Sequence, residues 1–139
     1  MSETEKQAVS EQDKLRGVAE YKNVNLGSAS KEELVAMLYE ACTRAQYQAQ
    51  DAFRRKAGNE GRQHLRLARD IVGELTVSLD HEAAPELSGN LSRLYSWLLR
   101  ELGRAGLDRD PERLDATISV TRNLLDGWVE AFRKAGESE

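Results

Sequence analysis

Hydrophobic positions in this chain recur at steps of three and four over long stretches, which is the period of an amphipathic helix. The first stretch opens with SASKEEL at 28–34, where Ser30 and Glu33 have capping-box spacing. Its apolar face is Leu34, Met37, Leu38, Ala41, Ala45 and Ala52, with Tyr39, Tyr47 and Phe53 alongside, and it runs to about Ala57. So many alanines predict close approach by a neighbouring helix. GNEG at 58–61 is expected to break this helix through the helix cost of glycine. A second helix follows over about 60–80, on Leu65, Ala68, Ile71, Val72, Leu75 and Leu79. Pro85 suits the first turn of a third, over 86–105, whose end Gly103 and Gly106 should loosen. LDRDPERL at 107–114 marks the next start, with Asp110 as N-cap and Pro111 at the first helical position. The fourth helix continues to about Lys134, with Leu114, Ile118, Leu125, Trp128 and Phe132 on one face and Val120, Leu124 and Val129 widening it.

Connections of a few residues make sequential helices antiparallel. The fold predicted is therefore all-α, an up-down antiparallel four-helix bundle over residues 21–135. Residues 1–20 are read as a flexible segment, loose or at most short-helical, because LRGVAEYK at 15–22 is only a weak amphipathic turn or two. Residues 136–139 are read as a disordered tail.

One helix carries more apolar surface than a bundle requires. In NLSRLYSWLLREL, 90–102, Leu91, Leu94, Tyr95, Leu98, Leu99 and Leu102 fill an arc of about 140°, against the roughly 100° that a core-facing stripe needs. Trp97 stands roughly 60° beyond Leu94. Tyr95, Trp97, Leu99 and Trp128 either fill gaps in the bundle, lie under the N-terminal segment, or form a groove for a partner helix. Sequence pattern alone leaves these open.

Composition narrows the function. The 139 residues suit one domain. With a net charge of −4 and no concentrated basic block, no nucleic-acid partner is expected. Arg54, Arg55 and Lys56 cluster where cations favour a helix C-terminus. A single cysteine, Cys42, excludes an internal disulfide. The sequence has neither a signal-peptide pattern nor an apolar run of membrane-spanning length, so a cytoplasmic protein without membrane insertion is expected. His64 and His81 lack the Glu-x-x-His spacing of di-iron bundles and read as a helix-surface and a loop histidine. Cys42 has no placeable base and reads as a small packing residue. There is no phosphate loop and no H-E-x-x-H. Neither enzyme activity, metal, cofactor nor small-molecule substrate is expected.

Several segments, in order, resemble the FliS family of flagellar secretion chaperones, from Tyr21 to Phe132. Tyr21, Leu26 and SAS at 28–30 are similar to its tyrosine, aliphatic residue and T-A-S. LVAMLYEA at 34–41 resembles its M-L-Y-[DE]-G, and ARDIVGELTVSLDHE at 68–82 its helix-two ending. NLSRLYSWLLREL resembles its N-L-x-x-L-Y-x-Y helix, and Leu124, Leu125 and Trp128 its L-L-x-x-W element. The chain departs at Lys31, Ala41, Ala83–Ala84–Pro85 and Ser96–Trp97. The resemblance implies a cytosolic chaperone that holds the disordered C-terminal segment of flagellin, prevents early polymerisation and delivers it to the flagellar export gate. It places partner binding on Tyr21 and Leu26, whose segment in the family can lie over part of the apolar surface, on Tyr39, and on Leu94, Tyr95, Trp97 and Leu98. Leu91 and Leu125 are expected in the core. The alternative is a general helical adaptor for another secreted or regulatory flagellar protein.

Overall fold

The computed structural model describes residues 30–137. The N-terminal segment expected to be flexible, with Tyr21 and Leu26, lies outside the described residues. Four helices follow in order: α1 (Lys31–Arg54), α2 (Gly58–Val77), α3 (Pro85–Asp108) and α4 (Leu114–Glu137), with one 3-10 turn, Pro111–Arg113, before α4. Among the described residues there is no strand. The all-α four-helix expectation is met.

Local chemistry sets the helix ends. The Ser30 hydroxyl accepts a hydrogen bond from the Glu33 N–H at 3.2 Å, and acidic Glu32 and Glu33 occupy the positive first turn of α1. The other end is closed by Lys56 in the left-handed region, φ 65°. There the Ala57 N–H reaches the Ala52 carbonyl at 2.8 Å and the Lys56 N–H reaches that of Phe53 at 3.1 Å, a Schellman closure. The break thus falls at residues 55–57, ahead of the glycines expected to cause it. Gly58 and Gly61 instead belong to α2. Gly61 has a packing reason: a Cβ there would sit 2.4 Å from Cε1 of Phe53.

Asp80 orders the next link. Its carboxylate accepts from the Glu82 and Ala83 N–H groups at 3.2 and 3.0 Å, and its carbonyl accepts from the Ser88 hydroxyl at 2.9 Å. Pro85 then takes the first helical position, as expected. α3 runs unbroken through Gly103 and Gly106 to Asp108, so those residues do not loosen it. It stops at Arg109 in the left-handed region, φ 53°. Asp110 caps the following turn, accepting from the Glu112 N–H at 3.0 Å.

α1 packs most extensively on α2 and also on α4; α2 packs on α3; α1 and α3 are diagonal; α3 and α4 share the thinnest helix seam. Ala41, Ala45, Ala49 and Ala52 are buried on α1, and their small side chains permit the close α1–α2 approach. Leu38, Leu65, Ala68, Ile71, Val72, Leu98, Leu102, Leu114 and Ile118 complete most of the core. No helix among the described residues is long and apolar enough to cross a membrane.

Candidate functional site

The two tyrosines singled out on α1 and α3 meet across the diagonal of the bundle. Tyr39 and Tyr95 are both buried, and their hydroxyls are hydrogen-bonded to each other. The Tyr39 ring meets the indole of Trp128 edge-on, at 6.4 Å between centroids. The Trp128 Nε1–H donates to the Glu32 carbonyl at 2.9 Å. A chain of aromatic contacts therefore ties α3 to α1 and α1 to α4. Burial raises the pKa of both phenols; the shared hydrogen bond opposes this at Tyr39 and adds to it at Tyr95. Leu98, one turn beyond Leu94, is also buried.

Leu94 and Trp97 are placed differently. Both are half-buried, and Trp97 packs on the rim of the core. Their direction follows from Glu101, one turn after Trp97, which sits 3.9 Å from Arg113 in the turn leading into α4. The Leu94–Trp97–Glu101 flank of α3 therefore faces the α4 side. Leu91 is half-buried, and Leu87, one turn earlier, is 57% exposed. On α4, Val120, Leu124, Leu125 and Trp128 are half-buried, while Val129 and Phe132 are exposed. Leu91 and Leu125 thus pack against the core without being sealed inside it. The overhang of α4 explains part of this. Trp128 is level with Glu32 at the start of α1, so residues 129–137 extend past it by about 13 Å.

The α1–α4 seam is closed by polar contacts that hydropathy does not reveal. Thr43 Oγ1 donates to the Tyr39 carbonyl at 2.8 Å and lies 3.2 Å from Thr121 Oγ1. Gln46 Nε2 donates to Thr121 Oγ1 at 3.1 Å and to the Cys42 carbonyl at 3.3 Å. Gln50 Nε2 donates to the Pro111 carbonyl at 2.9 Å and to Asp115 Oδ1 at 2.8 Å. Thr43, Gln46 and Gln50 share a face of α1, and Thr117 and Thr121 a face of α4. That spacing was the available signal.

The remaining candidates for chemistry take structural places. Cys42 is fully buried, its thiol 3.7 Å from the Ala68 carbonyl, and burial pushes its pKa up to about 12. His64 is a partly buried helix residue near Glu60, and His81 lies exposed in the α2–α3 link. Among the described residues no group of three or more His, Cys, Asp or Glu is arranged to hold a metal.

The family described as "Flagellar protein FliS" matches residues 15–135. The flagellar secretion chaperone FliS of Escherichia coli (strain K12) is 35% identical over 107 residues, covering 76% of this chain and 78% of that one. That of Campylobacter jejuni is 31% identical over 110 residues, 79% and 86% of the two chains. That of Salmonella typhimurium is 27% identical over 128 residues, 88% and 95%. The chain belongs to the FliS family of flagellar secretion chaperones.

Proposed function

We propose that this chain is a cytoplasmic chaperone that takes up the disordered C-terminal segment of flagellin along its α3–α4 seam, keeps it from polymerising and hands it to the flagellar export gate. The supporting observation is the thin α3–α4 seam. Leu87, Leu91, Leu94 and Trp97 line its α3 side, half-buried or exposed, while α4 offers Val120 and Leu124 and, past the end of α1, Phe132. Covering one such side chain fully is worth about 1.5–3 kcal/mol, so a few of them suffice to hold an amphipathic segment. Ordering that segment costs part of the gain, which favours later release. In this reading Leu94 and Trp97 touch the guest, and Tyr39, Tyr95 and Leu98 form the wall behind them. Tyr21 and Leu26 are assigned to the same surface through the family resemblance.

The test is co-expression of the full chain with flagellin's C-terminal segment. A complex that stays together on a sizing column supports the reading. A folded chain that never retains flagellin, but retains another flagellar protein, contradicts it and favours the adaptor.

A further inference from the structure

Arginines scattered along the sequence converge on the opposite flank of α3. Arg62, Arg66 and Arg69 follow one another at helical spacing on α2, and Arg100 and Arg104 do so on α3. Together they rim a groove of 480 Å³ between the two helices, near the bundle end that holds the 55–57 and 109–113 connections. The groove floor is apolar. Gly103 and Gly106 line it, and a Cβ on either would find room, 3.9 Å from Cζ of Arg69 and 3.6 Å from Cδ1 of Leu65 respectively. Leu99 is half-buried there, and Leu107, 78% exposed, stands at the edge.

In a chain of net charge −4, this concentration of cations stands out. Among the described residues Arg62, Arg66, Arg69 and Arg100 make no ion pair or hydrogen bond, and only Arg104 has a carboxylate, Glu101, at 3.3 Å. Guanidinium groups at such density are matched by carboxylates in bidentate geometry.

We propose that this arginine-rimmed groove docks an acidic amphipathic helix of a partner protein. Arg62 to Arg69 span about 10 Å, so carboxylates three, four and seven residues apart on a partner helix reach successive guanidiniums. The leucines between them on the partner would cover Leu99 and Leu107. A nucleic acid fits less well. No aromatic side chain lines the groove to stack a base, and the negative net charge opposes a polyanion at long range. The groove lies on the α2 side of α3, away from the seam assigned to flagellin, and does not depend on that assignment.

The test uses the full chain and a labelled synthetic peptide with glutamates and leucines at helical spacing, read by fluorescence anisotropy. Binding is expected, weakening with salt. The exposed pair Arg69→Glu/Arg100→Glu should lose roughly tenfold or more in affinity with an unchanged melting curve, since charge-assisted bonds are lost. A peptide with lysines in place of the glutamates should not bind the parent chain, whose groove carries five arginines. Leu107→Ser should weaken binding less. Absence of binding, binding unaffected by the charge reversal, or preference for a DNA duplex over the peptide would each overturn the proposal. The Arg69→Glu/Arg100→Glu variant should still retain flagellin's segment, which separates this site from the α3–α4 seam.

Discussion

α4 meets its two neighbours in opposite ways. Against α1 it places Thr121 among Thr43 and Gln46, bonds Asp115 to Gln50, and sets Trp128 on Tyr39 and the Glu32 carbonyl. Against α3 it makes its thinnest contact and leaves apolar side chains half-covered. A seam of buried directional bonds is costly to open, because each parted donor or acceptor loses its partner. An apolar seam is non-directional, and any greasy surface of suitable shape completes it. In the proposed function the same helix is fixed on one side and offered to the guest on the other.

The comparison can be broken most severely at the wall the two seams share. Tyr95→Ala should cost about 3–5 kcal/mol in denaturant unfolding, as a large buried aromatic is lost and the Tyr39 hydroxyl loses its partner. Weak binding by that variant would report a damaged wall rather than a lost contact. Thr121→Val attacks the closed seam alone. It leaves Gln46 and Thr43 short of a partner and should cost about 1–3 kcal/mol with flagellin affinity unchanged. Lys56→Gly lies away from both seams and should stabilise the chain by about 1 kcal/mol, because glycine removes the left-handed strain that Lys56 bears. Calorimetric melting checks it. The effect that is smallest near neutrality is on pH. The folded pKa values of Cys42, Tyr39 and Tyr95 lie above their ordinary 9.0, 10.0 and 10.0, so the folded chain holds these protons longer than the unfolded one. Their contribution is full below pH 9 and is lost as pH rises from there through the folded values. Urea midpoints across that range should fall, and less steeply in Tyr39→Phe/Tyr95→Phe.

The helices were legible because their apolar period is long and regular, and because Ser30 with Glu33, and Asp110 with Pro111, have the spacing of helix starts. The break after α1 was misplaced because glycine was read by its helix cost alone. Gly58 and Gly61 sit in a first turn where Arg109 and the Phe53 ring press close, and the stop is made by a lysine with no local signature. Trp97 announced itself by standing off the leucine arc, but that this flank lies toward α4 was not legible in the sequence. That Tyr39 and Tyr95 meet each other was not legible, since they are 56 positions apart and on diagonal helices. The arginine groove was not legible for a similar reason: its five arginines form no run in the sequence and assemble only when α2 lies against α3.

The central claim is that flagellin's segment completes the α3–α4 seam. Isothermal calorimetry of that segment against the full chain and against Leu94→Ser/Trp97→Ala tests it most directly. A roughly tenfold or greater loss of affinity is expected in the variant, with a cooperative melt lowered only modestly, because both side chains are half-buried and Trp97 packs only on the rim of the core. Equal affinity in a variant that melts cooperatively would contradict it.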